Sequence, residues 1–253
     1  MCWVCTPPLD AKALPNIVFI LADDLGIGDT KCYGGDRCLI ETPNIDALAA
    51  NGLRFTDAHV NASVCGPTRR AIMTGRYEWR FGPAENSGPW GFIGPRPNTE
   101  KSTLGKIFKR SGYQTGYVGK WHLGGEAHYP DRHGFDVNVA GCEWGCPLQG
   151  YFSPWGIPTL EDGPEGHYLP DRLTDEAIAL IRGHGEGPFF LNLCYYLVHT
   201  PLQARPEMIE RYDLKAREMG LDKLEVLREG EPFPYENSSN PHVLRRLVQS
   251  HST

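Results

Sequence analysis

Residues 16–24 read NIVFILADD, a short apolar run that ends in two aspartates. The run is rich in β-branched and aromatic side chains, and its length suits a strand that is buried on both faces. A second run of this kind, PFFLNLCYYLVHTP, occupies residues 188–201 and contains His199 near its end. Each run predicts a central strand of a mostly parallel sheet, with polar residues at the point where the strand ends.

Segments typical of helices and of strands alternate along the rest of the chain. The first predicted helix lies in TPNIDALAANG, with Thr42 as N-cap, Pro43 at the first helical position and Gly52 at the end. The next stretch, LRFTDAHV at residues 53–60, predicts a strand. Further helices are predicted within residues 101–113, 171–185 and 204–221, and a further strand within residues 114–124. This alternation predicts an α/β fold, in which helices sandwich a mostly parallel central sheet.

Composition and charge are those of an ordinary globular protein. Hydrophobic residues make up 40% of the 253 residues and charged residues 22%, which allows a sizeable core. The net charge of −6 gives no electrostatic footprint for nucleic acid. No apolar stretch is long enough to span a membrane, and the N-terminal MCWVCTPPLDAKALP shows no signal peptide. We therefore expect no nucleic-acid partner and no membrane span.

The eight cysteines do not form a recognisable metal-binding pattern. Cys2 and Cys5 form a lone C-x-x-C without the second pair that a zinc ribbon needs, and Cys142 and Cys146 stand apart from other ligands. Disulfide connectivity cannot be read from the spacing. We therefore expect no structural metal cluster at these cysteines.

Chemically interesting side chains follow three of the predicted strands. They are Asp23 and Asp24, then Lys120 and His122, then His199. In parallel sheets the carboxyl ends of the strands meet at one edge, where ligands bind. Paired carboxylates suit a hard divalent cation, a lysine suits an anion, and a histidine can move protons near neutral pH. The alternative is that these are ordinary polar residues at strand ends. The remaining histidines have no such context, and we expect them at the surface.

CGPTRRAIMTG at residues 65–75 predicts a helix that begins near Pro67 or Thr68, with Cys65 just outside its N-terminus. That position favours an anion and would lower the pKa of a thiol. Cys65 could be a structural cysteine, or a thiol nucleophile paired with His122 or His199. A thiolate is, however, a poor ligand for a hard ion such as Ca²⁺ or Mg²⁺ held by carboxylates. The working group at position 65 should therefore carry oxygen.

These residues resemble the type I sulfatase family of the alkaline phosphatase-like superfamily. The matching motif is C-x-P-[ST]-R with a downstream T-G, here Cys65 to Arg69 and Thr74–Gly75. PNIVFILADDLG, TPNIDALAANGLRFTDAH, GYQTGYVGKWHLG and PFFLNLCYYLVHTP are also similar to family segments and follow the family's order. The resemblance spans about residues 15–205 and implies the alkaline phosphatase-like fold and cleavage of a sulfate ester.

The resemblance also implies a cofactor and a modified nucleophile. Asp23, Asp24 and Cys65 match the family's metal ligands, with Ca²⁺ the usual ion and Mg²⁺ an alternative. Cys65 matches the cysteine that a formylglycine-generating or anaerobic maturation enzyme converts to formylglycine, whose hydrate is the nucleophile. Arg69 matches the residue that holds this hydrate. An oxygen nucleophile at position 65 removes the conflict between a soft thiol and a hard ion.

Three further positions match residues that act on the substrate. Lys120 matches a ligand of the sulfate oxygens, His122 the histidine that handles the hydrate proton, and His199 the group near the leaving oxygen. The expected substrate is a sulfated small molecule or a sulfated saccharide. Phosphodiesterases or phosphonate monoester hydrolases of the same superfamily are the enzymatic alternative, and a non-catalytic protein that binds sulfated ligands is the other.

The resemblance leaves part of the family's pattern unmatched. Family members carry a later Asp-Asn or Asp-His pair and a lysine that complete the metal site, and nothing after His199 matches them. We therefore expect residues 1–253 to form a single, incomplete sulfatase catalytic domain. The family implies a periplasmic, secreted or lysosome-like compartment. Two loop-like aromatic stretches, residues 82–97 and 142–156, are expected to contact the ring of the substrate.

Overall fold

The computed structural model describes residues 14–77, 80 and 103–220. Four strands run through these residues: β1 (Ile17–Leu21), β2 (Gln114–Gly119), β3 (Val137–Val139) and β4 (Phe189–Cys194). The same residues form six α-helices: α1 (Lys31–Gly34), α2 (Pro43–Asn51), α3 (Cys65–Thr74), α4 (Leu104–Arg110), α5 (Leu169–Gly183) and α6 (Pro206–Glu218). Short 3-10 turns lie at Ile27–Asp29, Gly35–Arg37, Glu126–His128 and Pro130–His133.

The four strands form one parallel sheet in the order β1–β4–β2–β3. β4 lies between β1 and β2 and is buried along its whole length, as its continuous apolar run predicts. The parallel arrangement confirms the predicted α/β fold. It also brings the carboxyl ends of β1, β2 and β4 to the same edge of the sheet.

Helices pack on both faces of the sheet, as predicted. On one face, Leu173 of α5 belongs to the same buried cluster as Leu191 of β4. On the other face, Met73 of α3 joins a cluster in which the rings of Phe108 and Phe190 stack with centroids 4.1 Å apart. Among the described residues, no helix has both the length and the apolar composition needed to cross a membrane.

The prediction of a strand at residues 53–60 is wrong. These residues form no strand and are exposed throughout, including Leu53, Phe55 and Val60. Their β-branched and aromatic side chains favour a strand only when a neighbouring strand and a buried face are present. Neither is available to this segment within the described residues.

The predicted helices are confirmed, but two details differ. Thr42 is the N-cap residue of α2 and Pro43 its first residue, yet Ile45 and Leu48 on this helix are exposed rather than buried. Helix α3 begins at Cys65, so this cysteine lies in the first turn instead of just before the helix.

One of the histidines expected at the surface lies in the core. His133 is fully buried, with its ring 5.5 Å from that of Trp121, so the expectation that it lies at the surface is wrong.

Candidate active site

The carboxyl edge of the sheet brings together residues from three strands and one helix. Asp23 follows β1, Lys120 follows β2, and His199 lies in the loop after β4. Cys65 is placed beside them by the first turn of α3. The parallel order of β1, β4 and β2 makes this convergence possible, because all three strands end at the same edge.

Asp23 is held by its backbone and by two cations. Its N–H donates to the Leu197 carbonyl and its carbonyl accepts from the Val198 N–H, both at 2.7 Å. Its Oδ1 accepts from Arg69 Nη2 at 3.1 Å, and its Oδ2 is in contact with Lys120 Nζ. Burial raises the pKa of Asp23, but the charges of Arg69 and Lys120 outweigh it and bring the pKa below 3.8. The carboxylate is therefore ionised at neutral pH although it is buried.

Lys120 is fully buried, and its backbone is fixed on both sides. Its N–H donates to the Cys194 carbonyl at 2.8 Å, while its carbonyl accepts from Arg69 Nη1 at 2.5 Å and from Tyr117 Oη at 2.6 Å. The preceding Gly119 has a φ of +96°, and a Cβ there would lie 1.9 Å from the Cys194 oxygen. Only glycine permits this close approach of β2 to β4, which delivers the Lys120 side chain to the site.

His122 lies in a buried pocket with little freedom to move. It has a φ of +59°, and its N–H donates to the Cys142 carbonyl at 2.9 Å. A Cβ at Gly145 would lie 2.8 Å from its ring, so the loop leaves no space beside the imidazole. Nδ1 has no hydrogen-bond partner among the described residues. Burial, followed by the charges of Lys120 and Arg69, lowers the pKa of His122 to about 3, and the ring is neutral at pH 7.

Cys65, Asp23 and His199 each direct a possible ligand atom into one small volume, in which these atoms lie within 4.8 Å of one another. His199 Nδ1 donates to the Thr200 carbonyl at 2.9 Å, which leaves Nε2 for the site. A hydrogen bond with Cys65 raises the pKa of His199 above 6.5, against the opposing effects of burial and of Lys120. Burial raises the pKa of the Cys65 thiol, but the His199 hydrogen bond and Lys120 bring it below 9.0.

Asp24 lies at the rim of this group. Its φ is +63°, and its side chain is largely exposed. Its Oδ2 lies 3.7 Å from His199 Nε2, but the group of mutually close ligand atoms does not include it. The structure thus brings Asp23, Cys65, Arg69, Lys120, His122 and His199 together and leaves Asp24 beside them.

Three residues that the sequence did not single out shape the site. Tyr117 and Gly145 contact Lys120 and His122 as described above, and Tyr151 Oη lies 2.7 Å from the Tyr196 carbonyl and 2.9 Å from the His199 carbonyl. Tyr151 thereby holds the loop that carries His199. Gly145 and Tyr151 act through contacts with residues far away in the sequence, whereas Tyr117 donates to the carbonyl of Lys120 three residues later.

The prediction that aromatic residues of the 142–156 loop contact the substrate is wrong for its largest side chains. Trp144, Tyr151 and Trp155 are buried and belong to the core cluster next to α5. Aromatic rings bury a large apolar area, and packing in the core uses that area here. The other predicted stretch, residues 82–97, lies outside the described residues.

The donor set combines three kinds of ligand atom. Asp23 offers oxygen, His199 nitrogen and Cys65 sulfur, and the six cysteines in the described part of the chain are all free thiols. A sulfur and a nitrogen do not fit Ca²⁺ or Mg²⁺, which prefer oxygen ligands. The residues can hold a metal ion, but while position 65 is a cysteine they do not match a hard ion.

Comparison with known proteins relates this site to one family. The family model described as Sulfatase matches residues 15–222. The chain is 37% identical over 212 residues to an arylsulfatase of Hemicentrotus pulcherrimus, which covers 74% of this chain. It is 43% identical over 211 residues to the steryl-sulfatase of Homo sapiens, which covers 76% of this chain.

A solved structure agrees with these matches. The structure of BT4656 in complex with its substrate D-glucosamine-2-N,6-O-disulfate has a TM-score of 0.63 and 29% identity, and the match covers 79% of this chain and 38% of that one. The chain spans 38% of the arylsulfatase and 33% of the steryl-sulfatase. The family model alone matches well over half of the chain. The chain therefore belongs to the sulfatase family.

Proposed function

We propose that this chain carries the nucleophile and part of the metal site of a sulfuric ester hydrolase, which cleaves a sulfate ester with a formylglycine hydrate at position 65. One observation carries the proposal. Position 65 lies in the first turn of α3, its ligand atom lies within 4.8 Å of those of Asp23 and His199, and Arg69 and Lys120 contact Asp23. A nucleophile position beside a histidine and two cations is suited to cleavage of an anionic ester.

His122 and His199 are suited to different proton transfers. The pKa of His122 is lowered to about 3 by burial and nearby cations, so its ring is neutral at pH 7 and can accept a proton from the hydrate. His199 lies beside position 65, and its Nε2 is directed into the site, where it can hold a proton for the leaving oxygen. Cleavage of a sulfate ester needs both transfers, because the nucleophile loses a proton and the leaving group gains one.

Cations at the site match the charge of a sulfate ester. Arg69 and Lys120 converge on Asp23, and the N-terminus of α3 adds positive potential under position 65. Lys120 is the cation that we assign to the sulfate oxygens. After conversion of Cys65, an oxygen replaces the sulfur, and Asp23, Asp24 and this oxygen form a donor set that fits Ca²⁺ or Mg²⁺. When bound, such an ion supplies positive charge to the sulfate oxygens.

The comparisons support the substrate class. The name of one relative is steryl-sulfatase, and BT4656 has D-glucosamine-2-N,6-O-disulfate as its substrate. We assign to this chain a sulfated small molecule or sulfated saccharide, a formylglycine-generating or anaerobic maturation enzyme as partner, and a periplasmic, secreted or lysosome-like compartment. Phosphate diesters or phosphonate monoesters are the alternative substrates, since they present similar oxygens to the same cations.

Conversion of Cys65 and hydrolysis of an aryl sulfate test this proposal together. The protein that contains this chain is expressed with a formylglycine-generating enzyme, and the peptide across Cys65 is analysed by mass spectrometry. We expect the mass change of conversion and hydrolysis of 4-nitrophenyl sulfate in preference to an aryl phosphate diester. Cys65→Ala abolishes both results, whereas Cys32→Ala, at a partly exposed thiol in α1, leaves them intact.

The alternatives give different results in the same experiment. Faster turnover of the phosphate diester would assign the chain to the phosphodiesterase alternative. Conversion without turnover of either ester, together with binding of the sulfate ester, would indicate a non-catalytic binding protein. An unmodified thiol after co-expression would contradict the formylglycine mechanism.

A further inference from the structure

We propose that the unconverted chain, with Cys65 as a thiol, binds a borderline divalent ion such as Zn²⁺ through Asp23, Cys65 and His199, and that conversion of Cys65 changes the site to one for hard ions. The first evidence is the donor set, which offers one carboxylate oxygen, one thiolate sulfur and one imidazole nitrogen. This combination is typical of zinc and poor for Ca²⁺ or Mg²⁺. The proposal concerns the chain with an unmodified Cys65 thiol, and metal binding by this form does not depend on hydrolysis of a sulfate ester.

The geometry is close to that of a metal site with three protein ligands. The three ligand atoms come from three separate elements, namely the end of β1, the start of α3 and the loop after β4, and they lie within 4.8 Å of one another. Ligand atoms around a tetrahedral Zn²⁺ are roughly 3.3–3.8 Å apart, given bond lengths of about 2.0–2.3 Å. Small side-chain rotations would bring the three ligand atoms to these distances. A fourth position is left for water or an anion.

The hydrogen bonding of His199 matches that of a metal-binding histidine. Its Nδ1 donates to the Thr200 carbonyl at 2.9 Å, which selects the tautomer with a free lone pair on Nε2. Ligating histidines nearly always have such an acceptor on the other ring nitrogen, since it fixes the ring and increases its basicity. Tyr151 holds the carbonyl of His199 as well, so the loop presents Nε2 in a defined position.

The local charge balance also permits a dication. Asp23, Asp24 and a Cys65 thiolate carry three negative charges, whereas Arg69 and Lys120 carry two positive charges. Arg69 and Lys120 already contact Asp23, but a carboxylate has about four lone-pair positions and can accept an ion as well.

Conversion of Cys65 removes the one soft ligand from this set. An oxygen at position 65 leaves carboxylate and hydrate oxygens as the main donors, and these prefer hard ions. The ion bound by the chain should therefore report whether Cys65 has been converted. Zn²⁺ should bind the thiol form more tightly than the converted form, and Ca²⁺ should not compete for the thiol form.

Binding of Co²⁺, a spectroscopic substitute for Zn²⁺, tests this proposal. The chain is expressed without a maturation enzyme, purified under reducing conditions and titrated with Co²⁺. All variants carry Cys2→Ser and Cys5→Ser, because this C-x-x-C pair could bind the ion by itself. We expect a thiolate-to-cobalt charge-transfer band that disappears on addition of Zn²⁺ and persists on addition of Ca²⁺.

Matched variants identify the ligands. Cys65→Ser should abolish the charge-transfer band, and His199→Ala should weaken Co²⁺ affinity at least tenfold, by loss of one of three ligands. Cys32→Ser, at another partly exposed thiol in α1, should leave the band and the affinity unchanged. Circular dichroism checks the fold of each variant, and His199→Gln replaces His199→Ala if the latter does not fold. A chain without the band, a band that survives Cys65→Ser, or displacement of Co²⁺ by Ca²⁺ would overturn the proposal.

Discussion

β1 and β4 lie side by side in the sheet, but their residues on one face differ sharply in burial. Val18 pairs with Leu191 and Ile20 with Leu193 in the parallel register. The β1 side chains are 43% and 58% exposed, whereas those of β4 are 2% and 5% exposed. α5 covers this face over β4 and β2, and no described element covers it over β1.

The same difference in burial separates two regions of the chain, one that contains β1 and one that contains β4. Residues 103–204 build most of both buried clusters, while residues 14–77 expose several large apolar side chains such as Leu48, Leu53 and Phe55. The active site lies where the regions meet, with Asp23 and Cys65 from one and Lys120, His122 and His199 from the other. Stability and chemistry should therefore respond differently to changes on the two sides.

The largest expected effect is on stability, from truncation of paired side chains. Leu193→Ala should lower the free energy of unfolding by about 2–5 kcal/mol, because it leaves a cavity under α5. Ile20→Ala, at the paired position on β1, should cost less than about 1 kcal/mol, because much of that side chain is already in water. Urea unfolding of both variants measures the difference. Equal losses would show that the face over β1 is covered in solution.

The second prediction concerns pH and the buried ring of His122. Its pKa is about 3 in the folded chain and about 6.5 when exposed. Below pH 6.5 the unfolded chain binds a proton that the folded chain does not, so the stabilising contribution is complete above pH 6.5 and is lost progressively toward pH 3. A proton that binds the unfolded chain but not the folded chain changes the free energy of unfolding by about 1.4 kcal/mol per pH unit.

His122→Asn should therefore reduce the slope of unfolding free energy against pH between pH 4 and 6 by up to this amount. His133, whose pKa burial and the Lys106 charge lower to about 4, should preserve part of the slope. An unaltered slope in His122→Asn would contradict the buried, neutral state of this ring.

The smallest effect is expected at Gly145, which packs against His122. Gly145→Ala places a Cβ 2.8 Å from the ring and should cost about 1–3 kcal/mol, or a few degrees of melting temperature. In a His122→Ala background the same change should cost almost nothing, because the clash is gone. Gly125→Ala is the matched control, since a Cβ there meets nothing within 4 Å. Equal costs in both backgrounds would show that Gly145 does not position His122.

Much of the fold was predictable because its strongest signals are local. The apolar runs at residues 16–24 and 188–201 were long enough to specify strands, and both became neighbours in the parallel sheet. The prediction of burial is confirmed for β4 and wrong for β1, whose side chains alternate between partly buried and exposed. The strand predicted at residues 53–60 failed for the opposite reason. Its residue types favour a strand, but pairing and burial depend on partners that propensity does not describe.

The site shows the same division. Its residues could be located from the sequence, because polar residues that follow parallel strands meet at one edge and because the motif at residues 65–69 is specific. The surroundings of these residues could not be predicted from the sequence. The position of Asp24 at the rim, the contact of Gly145 with His122 and the buried aromatic rings of the 142–156 loop all depend on segments distant in the chain.

The sequence by itself determined β1, β2, β4 and the longer helices in their order, the sulfatase motif and the set of polar residues at the strand ends. These depend on residue type and spacing, which are local properties. Only the tertiary structure decided which faces are covered, which way each histidine pKa moves and which atoms form the donor group of Asp23, Cys65 and His199. Burial, electrostatic fields and distances of a few ångström arise from contacts between residues far apart in the chain.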